Sequence, residues 1–297
     1  MRLHSTGTAR GVQAARRLAV AVLLALPIAP LASSSAAAQP ADTTTISHEP
    51  LFTRKDAIAA GVFTAATIAA WPLDKAFADY LQGAPQTNRW LRRTAATVET
   101  ITEPGAFIIG GALYGIGRLA GNERMADLGL HGTEAIIIGL GVVTVAKVTL
   151  GRARPYVDRD EPHSFGFMRG LRDERYRSFP SGHSVMAFAA AAAVTTETKR
   201  WWPDSHPWVS IPMYGGATLV ALSRMYDNKH WASDVIVGAM IGQFAGRKVV
   251  RYHHSHPDNR IDRWLLGVSI VPAPSGNRRM VVPIAMPVSL PAWGPGS

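Results

Sequence analysis

No cysteine occurs among the 297 residues. Disulfides, thiolate catalysis and cysteine-held metals are therefore excluded. Acidic residues are few: Asp and Glu number 21 against 31 Lys and Arg, and none stands in the first 38 residues. The resulting net charge of +10 favours anionic partners without naming one. Nucleic acid is not expected among them, because no basic stripe interleaved with aromatics appears. A carboxylate cluster able to hold a metal is missing from the sequence pattern, and so is an internal repeat.

Uninterrupted apolar length is also scarce within the helical region. Charge-free runs such as 135–146 and 235–246 are about a dozen residues, below the ~18 expected of a membrane span. A parity argument points the same way. If the leader is exported and six helices span, the end of the third faces the cytoplasm. A soluble or membrane-associated protein outside the cytoplasm is thus the expectation, with an integral membrane protein as the alternative. Trp201, Trp202 and Trp208 suit either a bilayer interface or a capped bundle end.

What is present divides the chain into four parts. Residues 1–38 read as a signal peptide, with Arg10 to Arg17 as the positive region, Leu18 to Leu31 as the apolar region and Ala36-Ala37-Ala38 before Gln39 as the cleavage site. Residues 39–55 form a polar, Pro/Thr-rich linker. A catalytic domain spans 56–252, and 253–297 is a tail in which 263–271 and 279–286 read as two strands around a turn. The tail begins with His253, His254 and His256, a stretch that either binds metal or is simply solvated.

The domain reads as all-α. Six Ala/Gly-rich apolar segments with helical character cover roughly 57–73, 105–114, 134–150, 184–196, 209–222 and 232–250. Residues 81–102 suit an amphipathic helix, and a charged loop covers 151–179. Within that loop Arg169, Arg172, Arg175 and Arg177 are candidates to steer anions or form a lid.

Three clusters stand at helix ends. Lys147 and Arg154-Pro155 close the third helix, Pro180-Ser181-Gly182-His183 opens the fourth, and Ser223-Arg224 through His230 to Asp234 joins the fifth to the sixth. In an antiparallel bundle all three meet at one face. Lys147, Arg154 and Arg224 supply cations for a tetrahedral oxyanion. Ser181 and Gly182 add free backbone N–H groups at a helix N-terminus. His230 and Asp234 are four residues apart, hence on one helical face, so the carboxylate can fix the imidazole tautomer. His183 is then the spare imidazole. Such a set suits phosphoryl transfer in which His230 attacks phosphorus and His183 protonates the leaving oxygen.

The pattern K-x6-RP, PSGH, SR-x5-H-x3-D resembles the three-part signature of the type 2 phosphatidic acid phosphatase and vanadium haloperoxidase superfamily. The resemblance covers about 56–252. It implies an all-helical core and a phosphohistidine on His230 oriented by Asp234. It also implies His183 as acid/base, with Lys147, Arg154, Ser181, Gly182 and Arg224 holding phosphate. No cofactor or metal is implied, and vanadate is expected to inhibit. A phosphorylated small molecule or lipid is the expected substrate. Vanadate-dependent halide oxidation is the alternative chemistry, and a non-catalytic phospholipid binder the alternative class.

Overall fold

The computed structural model describes residues 52–256. The signal-peptide reading, most of the linker and the strand-like tail lie outside them. Within them the chain is helical, and six long apolar segments form the bundle that the sequence pattern predicts. The first segment is α1 (Arg54–Ala70), continued through a 3-10 turn into α2 (Asp74–Leu81). Next come α3 (Arg89–Thr102), α4 (Gly105–Ala120) and α5 (Glu123–Leu150), then the loop carrying one short turn at Arg169–Arg172. The last three are α6 (Gly182–Trp201), α7 (His206–Tyr226) and α8 (Ala232–Ser255).

Local chemistry sets these boundaries. Thr53 and Asp56 form a capping box on α1, Asn122 accepts from the Met125 amide at the start of α5, and Ser181 accepts from the Ser184 amide at the start of α6. Several helices are longer than the segments read from sequence: α4 runs on to Ala120, α5 starts at Glu123, and α6 and α7 extend at both ends. Two further differences move the domain boundaries. Arg54 and Lys55 belong to α1 because Thr53 caps it, and α8 runs on to Ser255. His253 and His254 therefore sit in the bundle, not in a tail, and His253 is buried.

At the centre α8 packs on α6. Ala189, Ala191, Ala192 and Ala193 are fully buried there. Small side chains let the two backbones close: a Cβ on Gly242 would stand 2.4 Å from the Val185 carbonyl oxygen. Around that contact Phe63, Phe77, Phe188, Met225 and Ile236 fill the main core. Its gain is the hydrophobic transfer of these side chains, about 1.5–3 kcal/mol for each large one.

The helices alternate in direction, which gives the bundle two distinct ends. At one, Asp74, Arg152 and Asp234 join the end of the first segment, the 151–179 loop and the start of α8. At the other, Asp56 near the start of α1 pairs with Lys248 and Arg251 near the end of α8. The chain thus enters the bundle at the end away from Asp234.

The outside of the bundle is apolar. Ile58, Val62 and Ile68 on α1, Ile108 and Ile116 on α4, Val142 and Val145 on α5 and Ile211 on α7 are each more than half exposed. Among the described residues, two stretches are long and apolar enough to cross a membrane, Arg54–Leu81 and Glu123–Leu150, each 28 residues. Charge-free length alone understates α5, which carries Glu123, Arg124 and Asp127 near its start, Lys147 near its end and Glu134 between them.

Candidate active site

The structure brings the three sequence clusters together at the Asp234 end. Lys147 is in the last turn of α5, where its Nζ donates to the Arg177 carbonyl oxygen at 2.8 Å. The Arg154 amide donates to the Arg175 carbonyl oxygen at 3.0 Å, which anchors the loop after α5 beside it. Ser181 caps α6 with its side chain fully buried, and its amide donates to the Asp234 carbonyl oxygen at 3.0 Å. That bond joins the mouth of α6 to the first turn of α8. Arg224 closes α7, and its carbonyl oxygen accepts from the amides of Lys229 and His230 at 3.0 and 3.3 Å. A tight turn therefore carries the chain from the guanidinium to the imidazole.

Gly182 has a specific role in this arrangement. A Cβ there would meet only ordinary contacts, Leu140 Cδ2 at 3.6 Å and Lys147 Cε at 3.8 Å. No protein neighbour forbids a side chain, so what glycine preserves is open space above the helix mouth. An anion could approach the α6 amides across that space.

His230 is buried, with Nδ1 3.5 Å from Asp234 Oδ2. The distance is long for a hydrogen bond but directs Nδ1 to the carboxylate and leaves Nε2 to present a lone pair. Burial pulls the His230 pKa down to about 3, with Lys147 and Arg154 adding to the effect and Asp234 opposing it. His183 is pulled down to about 4, by burial first and then by Arg224, against Glu99. Lys147 and Arg154 thus act electrostatically on both imidazoles, and Arg224 on His183. At neutral pH both rings are uncharged, and the Arg154 and Arg224 guanidiniums supply the positive field.

The sequence pattern does not disclose what holds Asp234. Its Oδ1 accepts from Arg152 at 2.5 Å, and its Oδ2 accepts from Ser178 Oγ at 2.5 Å and from the Trp231 amide at 2.9 Å. Arg152 is wholly buried and also donates to Asp74 Oδ2 at 2.7 Å, while Ser233 Oγ donates to the same oxygen at 2.6 Å. Trp71, Phe165, Phe179 and Trp231 ring the guanidinium, with Trp71 closest at 4.9 Å. Two carboxylates share one cation in a dry aromatic box. The available signal was Asp74 itself, a lone acid directly behind the apolar run that ends in Trp71-Pro72-Leu73.

Two further acids escaped the sequence reading. Glu99 on α3 places Oε1 2.9 Å from Arg224 NH1, and Glu103 just after α3 places Oε2 3.4 Å from His183 Nε2. Both carboxylates occupy positions where a bound anion would compete for the same donors. The loop arginines behave differently from the lid expectation. Arg177 donates to the Gly170 carbonyl oxygen, Arg169 stacks on Tyr176, and Arg175 pairs with Asp173. These three build the loop that carries Arg154 and Ser178.

Residues 130–257 match the sequence model of the PAP2 superfamily. The chain is 33% identical over 106 residues to a lipid A 1-phosphatase of Porphyromonas gingivalis, covering 36% of this chain and 19% of that protein. It is 27% identical over 150 residues to an undecaprenyl-diphosphatase of Sulfolobus acidocaldarius, covering 48% of this chain and 64% of that protein. Both matches thus span less than two thirds of the relative. The fold is similar to that of a transmembrane PAP2-type phosphatidylglycerolphosphate phosphatase of Bacillus subtilis, with a TM-score of 0.51 at 20% identity. That likeness covers 70% of this chain and 99% of the other.

Proposed function

We propose that the chain, whose residues 130–257 match the PAP2 superfamily, hydrolyses lipid phosphates or pyrophosphates through a phosphohistidine on His230. The observation that carries the reading is the gathering of two neutral imidazoles, three cations and a clear helix mouth at one bundle end. Lys147, Arg154, Arg224 and the α6 amides hold the equatorial oxygens, with Gly182 keeping the approach open. His230 Nε2 attacks phosphorus in line, so a P–N bond forms as the P–O bond to the leaving group breaks. His183, protonated by the bound phosphate monoanion, delivers that proton to the leaving oxygen. Water then attacks phosphorus, His183 takes the water proton, and the P–N bond breaks. The chemistry uses no metal, and vanadate competes for the same donors.

The apolar outer belt supports a lipid over a diffusible substrate. It reaches the site end, where Leu150 on α5 and Trp90 and Leu91 on α3 are exposed. A bundle held in a bilayer by this belt meets a lipid headgroup at its own depth. The names of the two relatives agree with a lipid-borne phosphate.

The test measures purified enzyme on a long-chain lipid phosphate and on p-nitrophenyl phosphate. The lipid is expected to give the higher kcat/KM by at least ~10-fold, since remote binding energy contributes to the transition state. His230→Ala should lose ~10³-fold or more in kcat while remaining folded, and the wild type should yield an acid-labile phosphoenzyme after quenching. Undiminished turnover in that variant would remove the nucleophile assignment.

A further inference from the structure

At the end of the bundle away from Asp234, three helices converge on a buried carboxylate. Glu197, near the end of α6, is 1% exposed. His131, in the third turn of α5, is 2% exposed and places Nδ1 2.6 Å from Glu197 Oε1. His254, in the last turn of α8, places Nε2 2.8 Å from Glu197 Oε2. The candidate ligand atoms of these three residues all lie within 4.8 Å of one another. His131 and His183 stand on different helices, yet the axial rise places this cluster about 20 Å or more from the proposed nucleophile.

We propose that His131, Glu197 and His254 form a binding site for a divalent transition ion of the zinc type. Two imidazoles and one carboxylate are the donor set that suits such an ion, whereas magnesium and calcium prefer oxygen ligands throughout. The ligands come from α5, α6 and α8, the helices at the centre of the fold. Zinc binds imidazole nitrogen and carboxylate oxygen at about 2.0–2.2 Å, so small rotations of three side chains that already converge would suffice.

The surroundings favour a built site over a chance meeting of side chains. His253 stacks on His131 with ring centroids 4.3 Å apart, and its own Nε2 lies 2.6 Å from Glu134 Oε2. Trp201 meets His254 edge-on at 5.8 Å. These contacts fix the planes of both candidate ligand rings, as outer groups do around metal-bound histidines. The site is independent of the phosphatase reading. Its role would be to tie together the ends of three helices whose opposite ends carry Lys147, His183 and Asp234.

The experiment uses untagged full-length protein in detergent, stripped with a chelator and dialysed against zinc. One zinc per chain is expected to remain, with a Tm several degrees above that of the stripped protein. Cobalt added to the stripped protein should give the visible absorption of a low-symmetry, nitrogen-and-oxygen-ligated ion. Glu197→Gln and His254→Asn should each lose that absorption and the zinc-dependent Tm shift. Neither variant should change hydrolysis of p-nitrophenyl phosphate by more than about twofold at a temperature where it is folded. Should a variant fail to fold, the cobalt spectrum of the wild type still decides. Absence of zinc retention, cobalt absorption or a Tm shift in the wild type overturns the site, as does unchanged metal binding in both variants.

Discussion

Arg152 lies between Asp74 and Asp234 with no access to solvent, and the imidazole of His230 takes its orientation from the second of those acids. Arg152→Met would leave two carboxylates buried without their cation, a loss of about 3–5 kcal/mol. A fall in Tm with a parallel loss of activity is the expected result, and thermal melts check it. Asp234→Asn is a different experiment, because the box stays filled while the tautomer preference of His230 is lost. Its kcat should fall ~10²-fold or more with KM little changed, which steady-state kinetics will show. The pH dependence also belongs at this scale. With His183 near 4 and His230 near 3, both rings are neutral in the resting enzyme. The proton for the leaving group then arrives on the substrate monoanion and passes to His183 on binding. For a phosphate monoester, kcat/KM should therefore fall above the second phosphate pKa, near ~6, as the substrate loses that proton. It should fall again below about pH 3, as the nucleophile His230 gains one. A rate that keeps rising into alkaline pH would contradict this proton inventory.

Among the elements, α3 is the one that bears on access to the site. It carries Glu99 to Arg224 and is followed by Glu103 beside His183, so two carboxylates stand where phosphate oxygens are proposed to bind. The Glu99 carboxyl is held below its usual range despite burial that works to raise it, because Arg224 donates to it. Substrate must displace that ion pair. The double change Glu99→Gln, Glu103→Gln should lower KM several-fold with a smaller effect on kcat, measured on p-nitrophenyl phosphate. An unchanged or raised KM would mean that the acids do not compete with phosphate. This element also marks how far the sequence could be read. The residues that carry donors and imidazoles were legible, since their helix-end positions follow from hydrophobic period and from turn residues such as Pro180 and Gly182. The all-α bundle was legible for the same reason. The groups that orient them were not. Arg152 is hidden inside the spacer between Lys147 and Arg154, and Asp74, 160 residues before Asp234, meets it only through tertiary packing. Glu99 and Glu103 gave no signal because exposed acids on an amphipathic helix look solvated until a partner is seen. Periodicity fades near Val250, which makes His253 and His254 read as the start of a tail, while buried side-chain contacts with Glu134 and Glu197 carry the helix further.

At the largest scale, the described residues present an apolar girdle with polar clusters at both ends, and proposals for its place in a bilayer follow from that distribution. The absence of cysteine makes the proposal simple to probe. Glu161→Cys would lie in the loop at the site end, and Asp204→Cys in the turn between α6 and α7 at the other end; both positions are exposed. In sealed vesicles a membrane-impermeant maleimide should label one reporter and not the other until the membrane is permeabilised. Labelling of both from outside would remove the membrane-embedded reading.

The opposition of chain entry and Asp234 has one more consequence. In a bundle that spans a membrane, whichever side receives Thr53, the proposed site faces the other one. Carrying residues before Arg54 outward would turn the imidazoles to face the cell interior, and keeping them home would turn the imidazoles outward. Sidedness of the proposed reaction would thus be decided upstream of the fold, by how the residues before Arg54 are handled during synthesis.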